Sequence, residues 1–143
     1  MNRMRDIVIK IGICSLLLLF IACKKDEKSS TLLEGVWELR QIRGNLTLSY
    51  EPGNGSLIKF TGNSYEITSN GQTRSSGIYE IVTDLTAETE CGISIPSGYY
   101  TRRIIYDDST DQKIFFEISG DKLTFLSGYI PTDGGGFTEY ARK

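Results

Sequence analysis

Alternation between apolar and polar side chains is the feature that most constrains what this chain can fold into. Tyr65 and Ile67 flank Glu66, and the same period of two recurs around Glu80. Because successive side chains of a strand point to opposite faces of a sheet, this period predicts half-buried β-strands. A chain built from such strands is expected to form antiparallel sheet with one face packed and the other in water.

Glycine, asparagine and aspartate separate these segments at short intervals. Asn70-Gly71 is the strongest hairpin signal, because a tight primed turn needs a positive φ at both central positions. The first strand, expected at residues 36–42, breaks its own parity at Ile42, which indicates a β-bulge. We expect two further strands at residues 88–95 and 99–106, separated by a break.

About nine strands and no amphipathic helix of useful length place the chain in the all-β class. A meander of hairpins is best satisfied by closing into an antiparallel up-and-down β-barrel, which removes the exposed sheet edges. A two-sheet β-sandwich is the alternative. The side chains expected to point inward would largely fill such a barrel, and they are Trp37, Leu39, Ile58, Phe60, Tyr65, Ile67, Tyr79, Ile81, Ile114, Phe116, Leu123 and Phe125.

The N-terminus carries a different pattern, in which a basic start precedes an apolar stretch at residues 11–22. This stretch is too short to cross a bilayer, which needs about 20 apolar residues, so it predicts a cleaved export signal. Ala22-Cys23 at its end resembles the lipobox of bacterial lipoproteins. That resemblance implies that Cys23 is acylated and becomes the new N-terminus, and more than one acyl chain would hold the protein stably on a membrane.

The predicted organisation is a lipoprotein signal peptide at residues 1–22, a lipidated cysteine with a flexible tether at 23–31, and a lipocalin-like β-barrel domain at 32–143. No aspartate follows Cys23 directly, which resembles outer-membrane sorting. Lys25-Asp26-Glu27 resembles the surface-export signal of Bacteroidetes lipoproteins, and the alternative is that any solvated tether is charged. We therefore expect an outer-membrane lipoprotein of the cell envelope, facing either the periplasm or the cell surface.

The two ends of the domain carry the family resemblance. Gly35-Val36-Trp37 opens the first strand and resembles the Gly-x-Trp motif of lipocalins, and Tyr140-Ala141-Arg142 resembles the closing strand of small bacterial lipocalin-like lipoproteins. The resemblance implies that Trp37 closes one end of the barrel and that Arg142 lies over its ring. Such a cation–π contact contributes about 0.5–2 kcal/mol.

Composition excludes several classes of function. The chain has 16 Lys plus Arg, 18 Asp plus Glu and no histidine. The interspersed charges argue against a nucleic-acid partner, which needs a basic stripe. The lack of histidine excludes His-based triads and His-ligated metals. With Cys14 removed and Cys23 acylated, Cys91 would be the last free thiol, and no intramolecular disulfide could form.

Two acidic groups invite a catalytic or metal-binding interpretation. The run at residues 107–111 lacks the ligand spacing of an EF-hand loop and is interpreted as an acidic turn. Glu88 and Glu90 would share one face of a strand, as the two carboxylates of a glycosidase do, but the segment around them is polar, which favours a solvated strand. We therefore expect no enzyme activity, no metal and no cofactor.

Arg102 and Arg103 follow two tyrosines. On a regular strand one of these arginines must point into the barrel, where it could anchor a ligand; a bulge that exposes both is the alternative. The candidate ligand-binding residues are Tyr65, Tyr79, Tyr100 and Arg102.

These observations predict a monomeric, membrane-anchored lipocalin-like protein that binds a small apolar or amphiphilic molecule in a barrel mouth. The alternative is a surface protein–protein interaction or inhibitor module whose barrel core is filled.

Overall fold

A computed structural model describes residues 31–109, 111–132 and 134–143. The predicted signal peptide, Cys23 and nearly all of the tether lie outside these residues. No helix in the described ranges is long and apolar enough to cross a membrane. The elements are β1 (Gly35–Arg43), β2 (Thr47–Ser49), β3 (Leu57–Thr61), β4 (Ser64–Ser69), β5 (Gln72–Thr83), α1 (Ala87–Cys91), β6 (Arg102–Tyr106), β7 (Ile114–Ser119), β8 (Lys122–Ser127), a 3-10 turn (Ile130–Thr132) and β9 (Gly136–Arg142).

The sheet closes on itself. From β3 to β9 each strand pairs antiparallel with the next, and β9 pairs with β1, which in turn pairs with β3. The result is an eight-stranded up-and-down barrel with β2 as an additional strand on β1. The predicted all-β, lipocalin-like barrel architecture is thus confirmed, and the two-sheet sandwich is wrong.

The first strand contains the bulge that its sequence indicates. Its pairing with β9 shifts register between Leu39 and Gln41. On its other edge β1 pairs with β3 through residues 35–38 and with β2 through residues 41–43. Strands β2 and β3 therefore run in the same direction, and residues 50–56, which connect them, leave the sheet. Two contacts fix this excursion: the Asn54 amide donates to the Leu39 carbonyl at 2.9 Å, and the Gly53 N–H donates to Glu38 at 3.0 Å.

Glu38 is the charged residue that the excursion covers, and it is almost completely buried, at 2 % exposure. Its carboxylate accepts the Gly53 N–H and lies 2.7 Å from the Arg40 guanidinium. These two contacts hold the pKa of Glu38 below its usual value, the backbone hydrogen bond being the larger cause. The buried charge therefore has partners on both sides.

The barrel interior is one hydrophobic cluster. Every residue expected to point inward belongs to it or packs against it, except Leu39, which is buried but lies apart. The cluster also includes residues that were not expected, namely Leu33, Ile104, Tyr106, Ile118 and Tyr140. Leu33 comes from helical residues 31–33, which precede β1.

A second hydrophobic cluster lies on the outer face of the barrel. Phe115 and Leu126 point outward from β7 and β8 and are fully buried, because Ala87 and Cys91 of α1 and the segment that follows it pack over them. We call this group the outer cluster. The expectation of one wet face is therefore wrong for these two strands.

The strand expected at residues 88–95 is also wrong, because α1 occupies its first half. Ala87 and Cys91 are four residues apart, which places both on the one helical face that meets the barrel. Gly92 ends the helix in the left-handed conformation, with φ +66°. The strand expected at 99–106 begins only at Arg102.

Candidate functional site

One end of the barrel is closed by Trp37. Its ring is fully buried, and its indole N–H donates to the Leu33 carbonyl at 2.7 Å. The Arg142 guanidinium lies 4.1 Å from the centre of the indole ring and donates to the Glu34 carbonyl at 2.8 Å. Gly35 has φ +124°, and a Cβ there would press against the same guanidinium, so this position requires glycine.

The inward-facing side chains become more exposed with distance from this closed end. On β1 Trp37 is 0 % exposed and Leu39 8 % exposed, and Ile42 beyond them is half-buried. The same rise from buried to half-buried occurs along three other strands, from Tyr65 to Ile67 on β4, from Ile104 to Tyr106 on β6 and from Leu123 to Ser127 on β8. The described barrel is therefore packed at the Trp37 end and more open at the other.

We call the open end the mouth and define it by Ile42, Ile67, Tyr106 and Ile114, which point inward and are half-buried. Strands β5 and β7 do not follow the trend along their whole length, because Ile81 and Ile118, nearer the closed end, are half-buried as well. Burial raises the pKa of Tyr106 well above its usual value. The phenol therefore stays neutral at physiological pH, and the four residues that define the mouth are uncharged.

Asp107 follows Tyr106 directly and fastens the rim of the mouth. Its carboxylate accepts the Tyr65 hydroxyl at 2.7 Å and the Ile78 N–H at 2.9 Å. Both hydrogen bonds lower the pKa of Asp107, that from Tyr65 being the larger cause. A Cβ at Gly77 would overlap this carboxylate, so the glycine provides the space in which Asp107 sits.

Two of the expected ligand contacts already have structural partners. The Tyr65 hydroxyl binds Asp107 and lies 3.1 Å from the Ser75 hydroxyl. Tyr79 is buried at 5 % exposure, and its hydroxyl donates to the Gly62 carbonyl at 2.8 Å. Both rings belong to the interior cluster, and both hydroxyls are held by the fold.

Arg102 points into the barrel at the end of β6 away from the mouth, and its guanidinium carbon lies 5.3 Å from the centre of the Phe116 ring. Arg103 points outward and lies 3.2 Å from Asp84. Strand β6 pairs with both neighbours without a register shift, so the bulge that would expose both arginines is wrong.

Tyr100 does not join the other three candidates. It precedes β6 with φ +51° and packs against the outer cluster, where its ring lies 6.4 Å from that of Phe137. The four candidates therefore occupy three separate places. None of the four mouth residues was among them, although Ile67 and Ile114 stood in the expected core.

The glutamate pair is placed apart from the mouth, whereas Asp107 of the acidic turn lies at its rim. Glu88 and Glu90 lie on α1, not on one face of a strand, and Glu90 binds Lys113 at 2.8 Å. Within the described ranges no group of three His, Cys, Asp or Glu side chains is arranged to hold a metal ion.

The chain was compared with protein-family models, curated proteins and solved structures, and none of them matches it.

Proposed function

We propose that this protein is a non-enzymatic, membrane-anchored binding protein that holds a small apolar or amphiphilic molecule in the barrel mouth. The observation that carries the proposal is the rise in exposure along β1, β4 and β6, which leaves the apolar side chains of Ile42, Ile67 and Tyr106 accessible at the end away from Trp37. Concave sites with apolar walls and few polar groups are the usual form of small-molecule sites.

The aromatic rings below the mouth limit how deep a ligand can reach. Phe125 lies between Phe116 and Tyr140, with ring centres 6.5 Å and 5.8 Å apart, and Phe60 packs edge-on against Tyr79 at 4.9 Å. A short or compact apolar group fits this arrangement better than a long chain. The Tyr106 hydroxyl is a polar group at the level of the mouth that could orient it.

A matched pair of isoleucines tests the mouth. Ile67 on β4 points inward and is half-buried, whereas Ile78 on β5 points outward and is 49 % exposed. The full chain, purified in a non-ionic detergent, would be extracted with organic solvent and the extract analysed by mass spectrometry. We expect a co-purifying molecule that is reduced in Ile67→Gln and retained in Ile78→Gln.

Two outcomes would contradict the proposal: an extract no different from detergent alone, or an equal loss in both variants. Either would favour the second candidate, a protein–protein interaction module with a filled core. What supports that candidate is the set of exposed apolar residues on the outside, among them Leu46 at 77 % and Leu48 at 51 %.

The membrane anchor rests on the sequence around Cys23 and requires its own test. Cys23→Ser should move the protein from the membrane fraction to the soluble fraction, because the acyl chains provide the membrane affinity. Cys14→Ser is the matched control and should remain on the membrane. A Cys23→Ser protein that stays with membranes after a carbonate wash would exclude the lipid anchor.

A further inference from the structure

A concavity of about 170 Å³ lies outside the barrel, between residues 84–88 and 95–101. We call it the outer pocket. The two segments are joined by a hydrogen bond from the Asp84 N–H to the Thr101 carbonyl at 3.0 Å. Since a water molecule takes up about 30 Å³ of liquid, the space corresponds to roughly six waters, or one small organic group.

Packing and hydrogen bonds hold the floor and one wall of the pocket in place. Its floor includes Ala87, which is 3 % exposed and part of the outer cluster. One wall is fixed by the Tyr99 N–H, which donates to the Pro96 carbonyl at 3.1 Å, and by the Tyr100 N–H, which donates to Glu117 at 3.2 Å. A site that is already ordered loses little conformational entropy when it binds.

Two of the most exposed large apolar side chains of the described chain stand on the walls of this pocket. Leu85 is 75 % exposed and Tyr99 is 55 % exposed. Exposed apolar side chains that line a concavity together are typical of binding sites, whereas single ones scattered over a surface are not.

The charge at the pocket is negative. Glu88 lines it and is exposed, and no ion pair or side-chain hydrogen bond within the described ranges involves its carboxylate. Its neighbour Glu90, by contrast, is paired with Lys113. A free carboxylate and an exposed tyrosine ring that line the same concavity, here Glu88 and Tyr99, form a set of groups that attracts an organic cation, through charge and through the ring face.

We propose that the outer pocket binds a protonated amine that carries a short apolar chain, either as a lysine side chain of a partner protein or as a free small amine. The apolar part would contact Leu85 and Ala87, and the ammonium group would lie between Glu88 and the Tyr99 ring. This site is separate from the mouth, and it does not depend on a ligand there.

The test is an NMR titration of the full chain in a non-ionic detergent with n-butylammonium, n-butanol and n-butyrate, which share a chain length and differ in charge. We expect n-butylammonium to shift the signals of Ala87 and Tyr99, n-butanol to bind more weakly and n-butyrate not to bind. Glu88→Gln should reduce the affinity for n-butylammonium to that for n-butanol. Glu80→Gln, an exposed carboxylate on β5, should leave it unchanged.

Tyr99→Ala should weaken n-butylammonium binding about two- to five-fold, as expected for an exposed cation–π contact. A blocked tripeptide with a central lysine distinguishes the two sources of the amine. If the tripeptide binds as tightly as n-butylammonium or more tightly, the ligand is a lysine side chain of a partner protein; if the tripeptide does not bind, the ligand is a free small amine. The proposal is overturned if n-butanol binds as tightly as n-butylammonium, or if no probe shifts these signals. Neither result would bear on the mouth, because the mouth and the outer pocket have no residue in common.

Discussion

The barrel has two kinds of wall. In the wall formed by β3 and β4, which we call the half-wet wall, one face is packed and the other is exposed to water. Phe60 and Tyr65 are buried inside, while Lys59 and Thr61 are exposed outside. In the wall formed by β7 and β8, which we call the covered wall, both faces are packed, and residues 123–126 of β8 are buried without interruption.

The cause of this difference is the segment between β5 and β6. It does not take the shortest route between two neighbouring strands but crosses the outer face of β7 and β8, with α1 and Tyr100 packed on it. Phe115 and Phe116 are adjacent in sequence and both fully buried, one in each cluster. The two clusters are therefore separated by the thickness of one sheet, and the same two strands support both.

The largest expected effect is the loss of either phenylalanine. Phe115→Ala and Phe116→Ala should each lower the free energy of unfolding by about 3–5 kcal/mol, because each removes a fully buried ring. Lys59→Ala, an exposed position on the half-wet wall, should change it by less than about 0.5 kcal/mol. Urea unfolding of the full chain in detergent measures all three. A Phe115→Ala effect as small as that of Lys59→Ala would mean that the outer cluster adds nothing to the wall.

The half-wet wall could be predicted from the sequence, since period-two alternation specifies both the strand and its inward face. The covered wall was missed although its signal was present. Leu123-Thr124-Phe125-Leu126 and Ile114-Phe115-Phe116 are nearly continuous apolar runs, which indicate burial on both faces. What covers them is harder to predict, because α1 is only five residues long and its single helical cue is the spacing of Ala87 and Cys91.

The candidate site was less predictable than the fold. Tyr65 and Tyr79 were correctly placed inside the barrel, but sequence does not indicate that Asp107, 42 residues after Tyr65, would bind its hydroxyl. Tyr100 was expected to share a strand with Arg102, and its positive φ turns it to the outer face instead. Which inward residues remain accessible depends on how the barrel closes, and that is a property of the whole sheet.

The second expected effect concerns the interior that the two walls share. Burial raises the pKa of Tyr140 from 10.0 to about 12. The folded state therefore favours the neutral phenol, and this stabilisation is complete below about pH 10 and is lost as the pH rises through about 12. At about 1.4 kcal/mol per pKa unit, it amounts to about 2–3 kcal/mol.

Tyr140→Phe should accordingly flatten the loss of stability between about pH 10 and 12, as measured by urea unfolding at a series of pH values. Tyr99→Phe is the control, because that ring is on the outer surface and 55 % exposed. Identical alkaline profiles for Tyr140→Phe and the unaltered chain would show that the interior accommodates the charged phenolate of Tyr140 more readily than its burial suggests.

The third expected effect concerns β5, where Gly77 lies at the rim of the mouth. Gly77→Ala should cost about 1–3 kcal/mol, because the new methyl group overlaps the Asp107 carboxylate. Asp107→Gly in the same chain removes the overlap and tolerates the φ of +50° at that position, so the double variant should recover part of the loss. Additive losses in the double variant would mean that the two residues do not compete for one space.

The smallest expected effect is kinetic and reports on the covered wall alone. Cys91 is 1 % exposed in the outer cluster, and burial raises its pKa, so little thiolate is present at neutral pH. In a chain carrying Cys14→Ser and Cys23→Ser, where Cys91 is the one remaining thiol, labelling by a thiol reagent should be slow and should accelerate as the pH rises.

Phe115→Ala should speed labelling more than Gly77→Ala does, even when urea is used to bring the two variants to equal global stability. The reason is that the first variant loosens the cover over Cys91, whereas the second disturbs β5, which does not contribute to the outer cluster. Equal labelling rates at equal global stability would show that α1 opens only when the whole barrel unfolds, and the two walls would then form a single cooperative unit.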